Sequence, residues 1–102
     1  KDKPDYIEAL IALGDTYTKN GRYEDGLKID LRLAKLKPGD PVVHYNLACS
    51  YSLLKMADLA IDTLRKAIDL GYRNFTFMEQ DPDLNFVRKD PRYKELVSKY
   101  AR

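Results

Sequence analysis

Residues 10–26 read LIALGDTYTKNGRYEDG and residues 44–60 read HYNLACSYSLLKMADLA, so one arrangement of large and small side chains recurs after 34 residues. Large residues align with large ones and small with small: Leu13 with Leu47, Gly14 with Ala48, Tyr17 with Tyr51, Gly26 with Ala60, Leu27 with Ile61 and Leu36 with Leu70. A repeat of this length predicts stacked helical hairpins, because each unit buries its apolar face only against its neighbours.

Turn and cap residues divide each repeat into two helices. The pair Asn20-Gly21 favours a left-handed stop for the first helix, and Pro38 ends the second. Asp40 before a proline has the chemistry of an N-cap, and Gly71 ends the fourth helix. The predicted helices span about residues 5–19, 22–37, 41–54 and 58–70.

Beyond Gly71 the repeat is lost, and the sequence predicts a group of short helices. Asp81-Pro82 and Asp90-Pro91 each resemble an N-cap followed by a proline at the first helical position, and Asn74 is expected to cap a short helix rather than to carry a glycan. Apolar residues then recur at helical spacing: Tyr93, Leu96, Val97 and Tyr100. Residues 75–102 are therefore expected to cap the apolar end of the second hairpin.

The 34-residue period, with a leucine, a small residue and a tyrosine in its first half and a small residue in its second, resembles the tetratricopeptide repeat. The resemblance covers residues 7–40 and 41–74. It implies an all-α fold, a short right-handed solenoid of two helical hairpins plus a C-terminal helical cap, in one domain over residues 1–102. The tail also resembles the element that closes many such arrays, which implies the C-terminal end of an array in a larger protein.

Small residues are expected where the two helices of each hairpin cross. Antiparallel helices approach to about 8 to 10 Å only where the side chains at the crossing are small. Gly14 with Gly26, and Ala48 with Ala60, supply such crossings. The larger residues beside them are expected to point inward: Leu13, Tyr17, Leu47 and Tyr51.

Composition argues against several classes of function. Eighteen basic and sixteen acidic side chains leave a net charge of +2 without a basic stripe, so no nucleic-acid partner is predicted. No apolar run approaches the ~20 residues that a membrane span requires. One cysteine excludes an internal disulfide, and with a single histidine it predicts no zinc site and a reducing, cytoplasmic location. No phosphate loop or nucleophile with its base can be assembled, so neither an enzyme nor a cofactor is predicted. The start at Lys1 without a signal stretch suggests an excised domain or a processed product.

In the tetratricopeptide architecture the first helix of each hairpin lines a concave groove, and the resemblance implies a binding face there. The candidate peptide-binding residues are Ile11, Asp15, Thr18, Val42, Tyr45, Asn46, Cys49, Ser52 and Leu53. They combine an apolar strip with amide and hydroxyl groups, which favours an extended peptide or an amphipathic helix of a partner protein. The alternative is that these residues only cover the interior of a short solenoid.

The family's two-carboxylate clamp for acidic chaperone tails is not expected in this chain. The clamp needs lysine and asparagine at fixed repeat positions, and only Asn46 matches, since Ile11 and Asp15 occupy two of the others. Asp15 would repel a carboxylate. A rival function is a self-assembly scaffold, in which Tyr6 and Ile7 on the edge of the first hairpin dock on a neighbouring copy.

Two positions depart from the tetratricopeptide pattern. Asp30 stands where the repeat normally has a large apolar side chain, and His44 stands where it has a bulky one. Two interpretations are open: Asp30 points to solvent, or it makes a charge-assisted contact with His44, which would offset burial of the carboxylate. Cys49 is expected to be a small packing residue rather than a reactive thiol.

Overall fold

The computed structural model describes residues 4–100, and the side chains of residues 6–100. Over these residues it is helical without strands, as predicted. The helices are α1 (Pro4–Lys19), α2 (Tyr23–Leu36), α3 (Pro41–Leu53), α4 (Ala57–Asp69), α5 (Phe75–Gln80), α6 (Asn85–Arg88) and α7 (Pro91–Tyr100), with a 3₁₀ turn at Pro82–Leu84. Residues 1–3 and 101–102 of the predicted domain lie outside the described residues. Two hairpins, α1–α2 and α3–α4, stack through α2 and α3, and the remaining helices close the far end.

The predicted caps and stops set the helix ends. Asp40 Oδ1 accepts hydrogen bonds from the backbone N–H groups of Val42 at 2.9 Å and Val43 at 3.3 Å, which satisfies two free donors of α3. Gly21 has φ 77° and Gly71 has φ 120°, the left-handed region that favours glycine. The expected stops after α1 and α4 are therefore confirmed.

Close crossings explain the small residues of both hairpins. A Cβ at Gly14 would lie 3.2 Å from Ile29 Cγ2, and a Cβ at Gly26 would lie 3.0 Å from Thr18 Oγ1, so the helices α1 and α2 meet where both lack side chains. Ala48 and Ala60 are fully buried. The crossings predicted from the repeat are confirmed.

The main apolar core lies in the second hairpin and its cap. Fully buried side chains come from both parts: Ile61, Leu64 and Ile68 of α4, and Met78, Leu84 and Val87 of the cap. A smaller cluster joins the two hairpins through Leu10, Leu33 and Val43. The second hairpin is better buried because α2 covers it on one side and the cap on the other.

The repeat predicted that Leu13 points inward, and this prediction is wrong. Leu13 is 39% exposed, whereas the equivalent Leu47 is 6% exposed. Leu47 lies in the core cluster against which Leu27 and Ala34 of α2 pack, and no helix among residues 4–100 takes the corresponding place in front of α1. The same residue type at the same repeat position is therefore buried or exposed according to its neighbour.

The cap is joined to the second hairpin by apolar burial and by hydrogen bonds. Tyr100 donates its hydroxyl hydrogen to Asp69 of α4 at 2.8 Å, and within the cap Tyr93 donates to Glu79 of α5 at 3.0 Å. The predicted N-caps are present: Asn74 Oδ1 accepts from Phe77 N, Asp81 Oδ1 from Asp83 N, and Asp90 Oδ1 from Arg92 N. No helix within the described range is long and apolar enough to cross a membrane.

Candidate functional site

A cavity of about 140 Å³ opens on the surface where α1, α2, α3 and the cap meet. Repeat equivalence explains its position, because α1 and α3 are the first helices of their hairpins and present corresponding faces. The residues lining it are Gly14, Asp15, Thr18, Lys19, Asp30, Asn46, Cys49, Ser50, Leu53 and Asp83. It is thus a small polar site in which aspartate is the commonest residue.

Five of the nine predicted binding residues line this cavity: Asp15, Thr18, Asn46, Cys49 and Leu53. Ile11 lies one turn before Asp15 on α1 and is 38% exposed, and Val42 lies one turn before Asn46 on α3 and is 53% exposed. These two apolar residues lie on the same helix faces as the cavity residues without lining the cavity.

The outward orientation predicted for Tyr45 and Ser52 is wrong. Tyr45 is 3% exposed because Tyr72 stacks on its ring at a centroid distance of 4.3 Å, with 3° between the planes. Ser52 is fully buried, and its Oγ accepts a hydrogen bond from Val87 N at 3.3 Å. Cys49 reaches the cavity wall but is nearly buried. The cap folds back over this part of α3, which the repeat pattern alone does not show.

Asp81 joins the cap to α3 through hydrogen bonds of its side chain. Its Oδ2 accepts from the hydroxyl of Tyr45 at 2.6 Å and from the thiol of Cys49 at 3.7 Å, while its Oδ1 caps the next turn. Arg88 donates to the backbone O of Asp81 at 2.8 Å and to the backbone O of Met78. Buried polar groups need such partners, so these bonds fix one wall of the site.

Both interpretations of Asp30 are wrong, because it neither points to solvent nor pairs with His44. Asp30 is buried, but Ser50 Oγ donates to its Oδ2 at 2.5 Å, and His44 Nε2 lies 2.8 Å from the carbonyl O of Pro38. A carbonyl only accepts, so Nε2 carries the proton in this bond. Helices α2 and α3 run antiparallel from a short connection, which places His44 near the loop and Asp30 opposite the middle of α3.

Burial and neighbouring charges shift the carboxyl groups of the cavity. Burial raises the pKa of Asp30 to about 6, Ser50 opposes this by donating to the charged form, and the charge of Asp15 adds to the rise. Burial also raises the pKa of Asp83, and the charges of Asp81 and Asp15 raise it further. Carboxylates from α1, α2 and the cap therefore interact across one small space.

A metal site is a poor interpretation of the nearest group of ligand atoms. Cys49, Asp81 and Asp83 place one ligand atom each within 4.8 Å of one another. The side chain of Asp81 already accepts three hydrogen bonds, however, and burial raises the pKa of the Cys49 thiol, which opposes the thiolate that a metal binds. The group serves as an internal network.

Comparison with a known protein family gives a match to the second hairpin, whose helix α3 lines one wall of the cavity. Residues 42–70 match the family model described as tetratricopeptide repeat. The chain carries a tetratricopeptide repeat. The match spans α3 and α4, and the first hairpin, α1–α2, repeats its pattern of large and small residues.

A relative extends the comparison over most of the chain. A chloroplastic protein of Arabidopsis thaliana is 32% identical over 90 residues, which are 85% of this chain and 27% of the relative. The chain thus spans about a quarter of the length of that relative. No solved structure gives a significant match.

Five residues that line the cavity were not among the predicted binding residues: Gly14, Lys19, Asp30, Ser50 and Asp83. Asp30 and Ser50 had one available signal, since Asp30 departs from the family pattern at a position that is usually apolar. Lys19 follows Asp15 by one helical turn, so helical spacing was its signal, whereas Asp83 had none, because it enters the site only through the path of the chain after Gly71. The family pattern describes the hairpins and not the segment that closes them.

Proposed function

We propose that this chain is a protein-interaction module that holds a peptide or helix of a partner in its concave groove. Tetratricopeptide repeats generally mediate contacts between proteins, which supports the broad class. The observation that carries the proposal is the open cavity at the meeting point of α1 and α3, where Asp15 and Asn46 remain available to a ligand. A rigid groove with a few convergent polar groups suits an extended ligand.

Apolar residues beside the cavity would contact the rest of the ligand. Ile11 and Val42 supply exposed apolar surface one turn from cavity residues. Phe77 is 50% exposed, and its ring packs at 6.2 Å from that of Tyr45, so it extends the apolar surface onto the cap. A partner segment with apolar side chains around a polar centre matches this arrangement.

Selection of ligands from a displayed library of random peptides tests this proposal. Peptides selected on the wild-type chain are expected to lose binding to Ile11→Glu and to Asn46→Ala, because both changes alter the groove while leaving the core intact. The matched control is Leu59→Glu, which changes an exposed apolar residue of α4 that does not line the cavity. Selected peptides that bind all three variants equally would contradict the groove as the binding site.

A second candidate function, self-assembly, is favoured by one observation. Leu13 and Tyr6 leave apolar surface exposed on the first hairpin. By contrast, Leu47, which is the repeat equivalent of Leu13, is buried in the second hairpin. If copies associate through this end, the solution mass should rise with concentration, and Tyr6→Glu should abolish the rise. A mass independent of concentration would leave partner binding as the function.

Several further properties belong to the proposal. We propose that the module acts without catalysis and as part of a larger protein, which the length of the Arabidopsis relative supports. The aspartates of the cavity would repel phosphate, which supports a protein ligand over nucleic acid. The predicted cytoplasmic location remains a prediction, since the relative is chloroplastic.

A further inference from the structure

We propose that two copies of this chain pair through α1, with the two α1 helices antiparallel about a twofold axis. This inference rests on the second candidate function, self-assembly, and names its interface, and it does not depend on ligand binding in the groove. The contact surface, called the α1 face below, consists of Tyr6, Ala9, Leu13 and Thr16. These residues recur at intervals of three and four, so they lie along one side of the helix.

The α1 face occupies repeat positions that are buried on α3. Leu13 is exposed, and so are Ala9 and Thr16 beside it. The equivalent residues 34 positions later are all buried where α3 meets α2: Val43, Leu47 and Ser50. The same side of the first helix therefore stacks on another helix in the second hairpin, whereas on α1 it has no helix against it within residues 4–100.

The polar groups of α1 permit burial of the α1 face. An isolated charge is costly to bury. Three charged residues of α1 have described side chains, and all three lie at other helical positions: Glu8, Asp15 and Lys19. Thr16 Oγ1 donates to the backbone O of Ala12 at 2.9 Å, so its hydroxyl hydrogen needs no acceptor from a second copy.

The order of large and small residues makes the α1 face complementary to itself. In an antiparallel pair centred at the height of Ile11, Leu13 of one copy faces Ala9 of the other, because both lie equally far from the centre. Tyr6 faces Thr16 for the same reason. Each large side chain then lies opposite a smaller one, and the twofold axis forms both contacts twice.

The closed end of the stack restricts association to α1. The cap covers α4, whose apolar residues Ile61, Leu64 and Ile68 are fully buried, so a second copy cannot stack on α4 as α3 stacks on α2. Copies that share one open end form a closed pair and not a fibre. Since each copy contributes one helix, the interface is small, and association should be weak and reversible.

Sedimentation velocity of the 102-residue chain, over concentrations from about 10 μM to 1 mM, tests the pairing. We expect the mean mass to rise towards that of a dimer. Leu13→Glu should raise the dissociation constant about tenfold or more, because pairing would bury a charge. Leu59→Glu is the matched control, since Leu59 is exposed on α4, outside the α1 face, and should leave the dissociation constant unchanged.

A mass that does not change with concentration would overturn the inference and leave the α1 face to a helix of another protein. A rise in mass that Leu13→Glu does not alter would overturn it as well. Peptides selected on the groove should bind Leu13→Glu as tightly as the wild type, because Leu13 does not line the cavity. Failure of the pairing is therefore distinguishable from failure of the groove function.

Disulfide formation tests the antiparallel order of the two helices. Copies with Ala9→Cys are mixed with copies with Leu13→Cys, both in a Cys49→Ser background that leaves one thiol per copy. Under oxidation we expect the mixed dimer to exceed half of all cross-linked dimers, as resolved by mass spectrometry. A mixed fraction of half or less would overturn the antiparallel pairing.

Discussion

At the scale of single residues, the buried Asp30 makes stability depend on pH. Its pKa of about 6 in the folded chain exceeds the ordinary 3.8 of an unfolded one. Protonated Asp30 therefore contributes stability below pH 3.8, and this contribution is lost as the pH rises through 6. The charged groups that face it from the neighbouring elements are Asp15, Lys19 and Asp83.

Asp30→Asn should remove this dependence, since the amide keeps an acceptor for Ser50 and cannot ionise. We expect its free energy of unfolding, relative to the wild type, to rise by up to about 3 kcal/mol between acidic and neutral pH. Urea denaturation of both proteins across this range measures the difference. A difference that is constant with pH would show that burial does not perturb this carboxyl group.

Asp81 is expected to control whether the cap stays closed over α3. Asp81→Ala leaves the hydroxyl of buried Tyr45 without its acceptor, which should cost about 1 to 3 kcal/mol. Cys49 then becomes accessible, so its rate of modification by a thiol reagent should rise above that of the wild type. Asp90→Ala is the control, since it removes a helix cap without touching Cys49. Equal thiol reactivity in the two variants would contradict this role.

Local residue chemistry was predictable wherever it depends on neighbours in sequence. The N-caps Asp40 and Asn74 follow from residue type and from the pattern after them. The partner of Asp30 was not predictable, because it depends on how α2 and α3 align, and pattern matching suggested His44 instead of Ser50. To predict a contact between two helices, one must know how the helices align against each other, and a single sequence does not give that alignment.

At the scale of helices, the small residues at the crossings determine how close a hairpin can pack. Ala48 is fully buried at the crossing of α3 with α4, so Ala48→Leu must separate the helices or distort them. We expect a loss of about 1 to 3 kcal/mol or complete unfolding, seen as a lower melting temperature. Ala12→Leu is the control, because Ala12 is exposed on α1. Wild-type melting of Ala48→Leu would contradict the packing of this hairpin.

The cap shows how far element prediction extends. Its short helices and apolar stripe were predicted, because proline and aspartate mark helix starts and Tyr93, Leu96 and Val97 share one face. Its path over Tyr45 was not predicted, so two candidate residues expected to face a ligand, Tyr45 and Ser52, are instead covered. A repeat pattern predicts its own hairpins, but a segment outside the repeat can cover residues that the pattern would leave exposed.

At the scale of the whole molecule, the two ends of the stack differ. The end at α4 is sealed by the cap, whereas the end at α1 keeps Leu13 exposed. The polar cavity lies between them, where α1, α2, α3 and the cap meet, so the proposed binding site is separate from the exposed end of the stack. Mutations in the cavity should therefore alter ligand affinity without changing the solution mass.

Backbone amide chemical shifts in NMR can locate a selected peptide on the chain, using a peptide whose binding is lost in Ile11→Glu. We expect the largest shifts at Asp30 and in residues 11–19, 42–53 and 77–83, which contain the cavity lining and its apolar neighbours. Shifts concentrated instead on the outer face of α4 or on α7 would contradict the concave groove as the functional site.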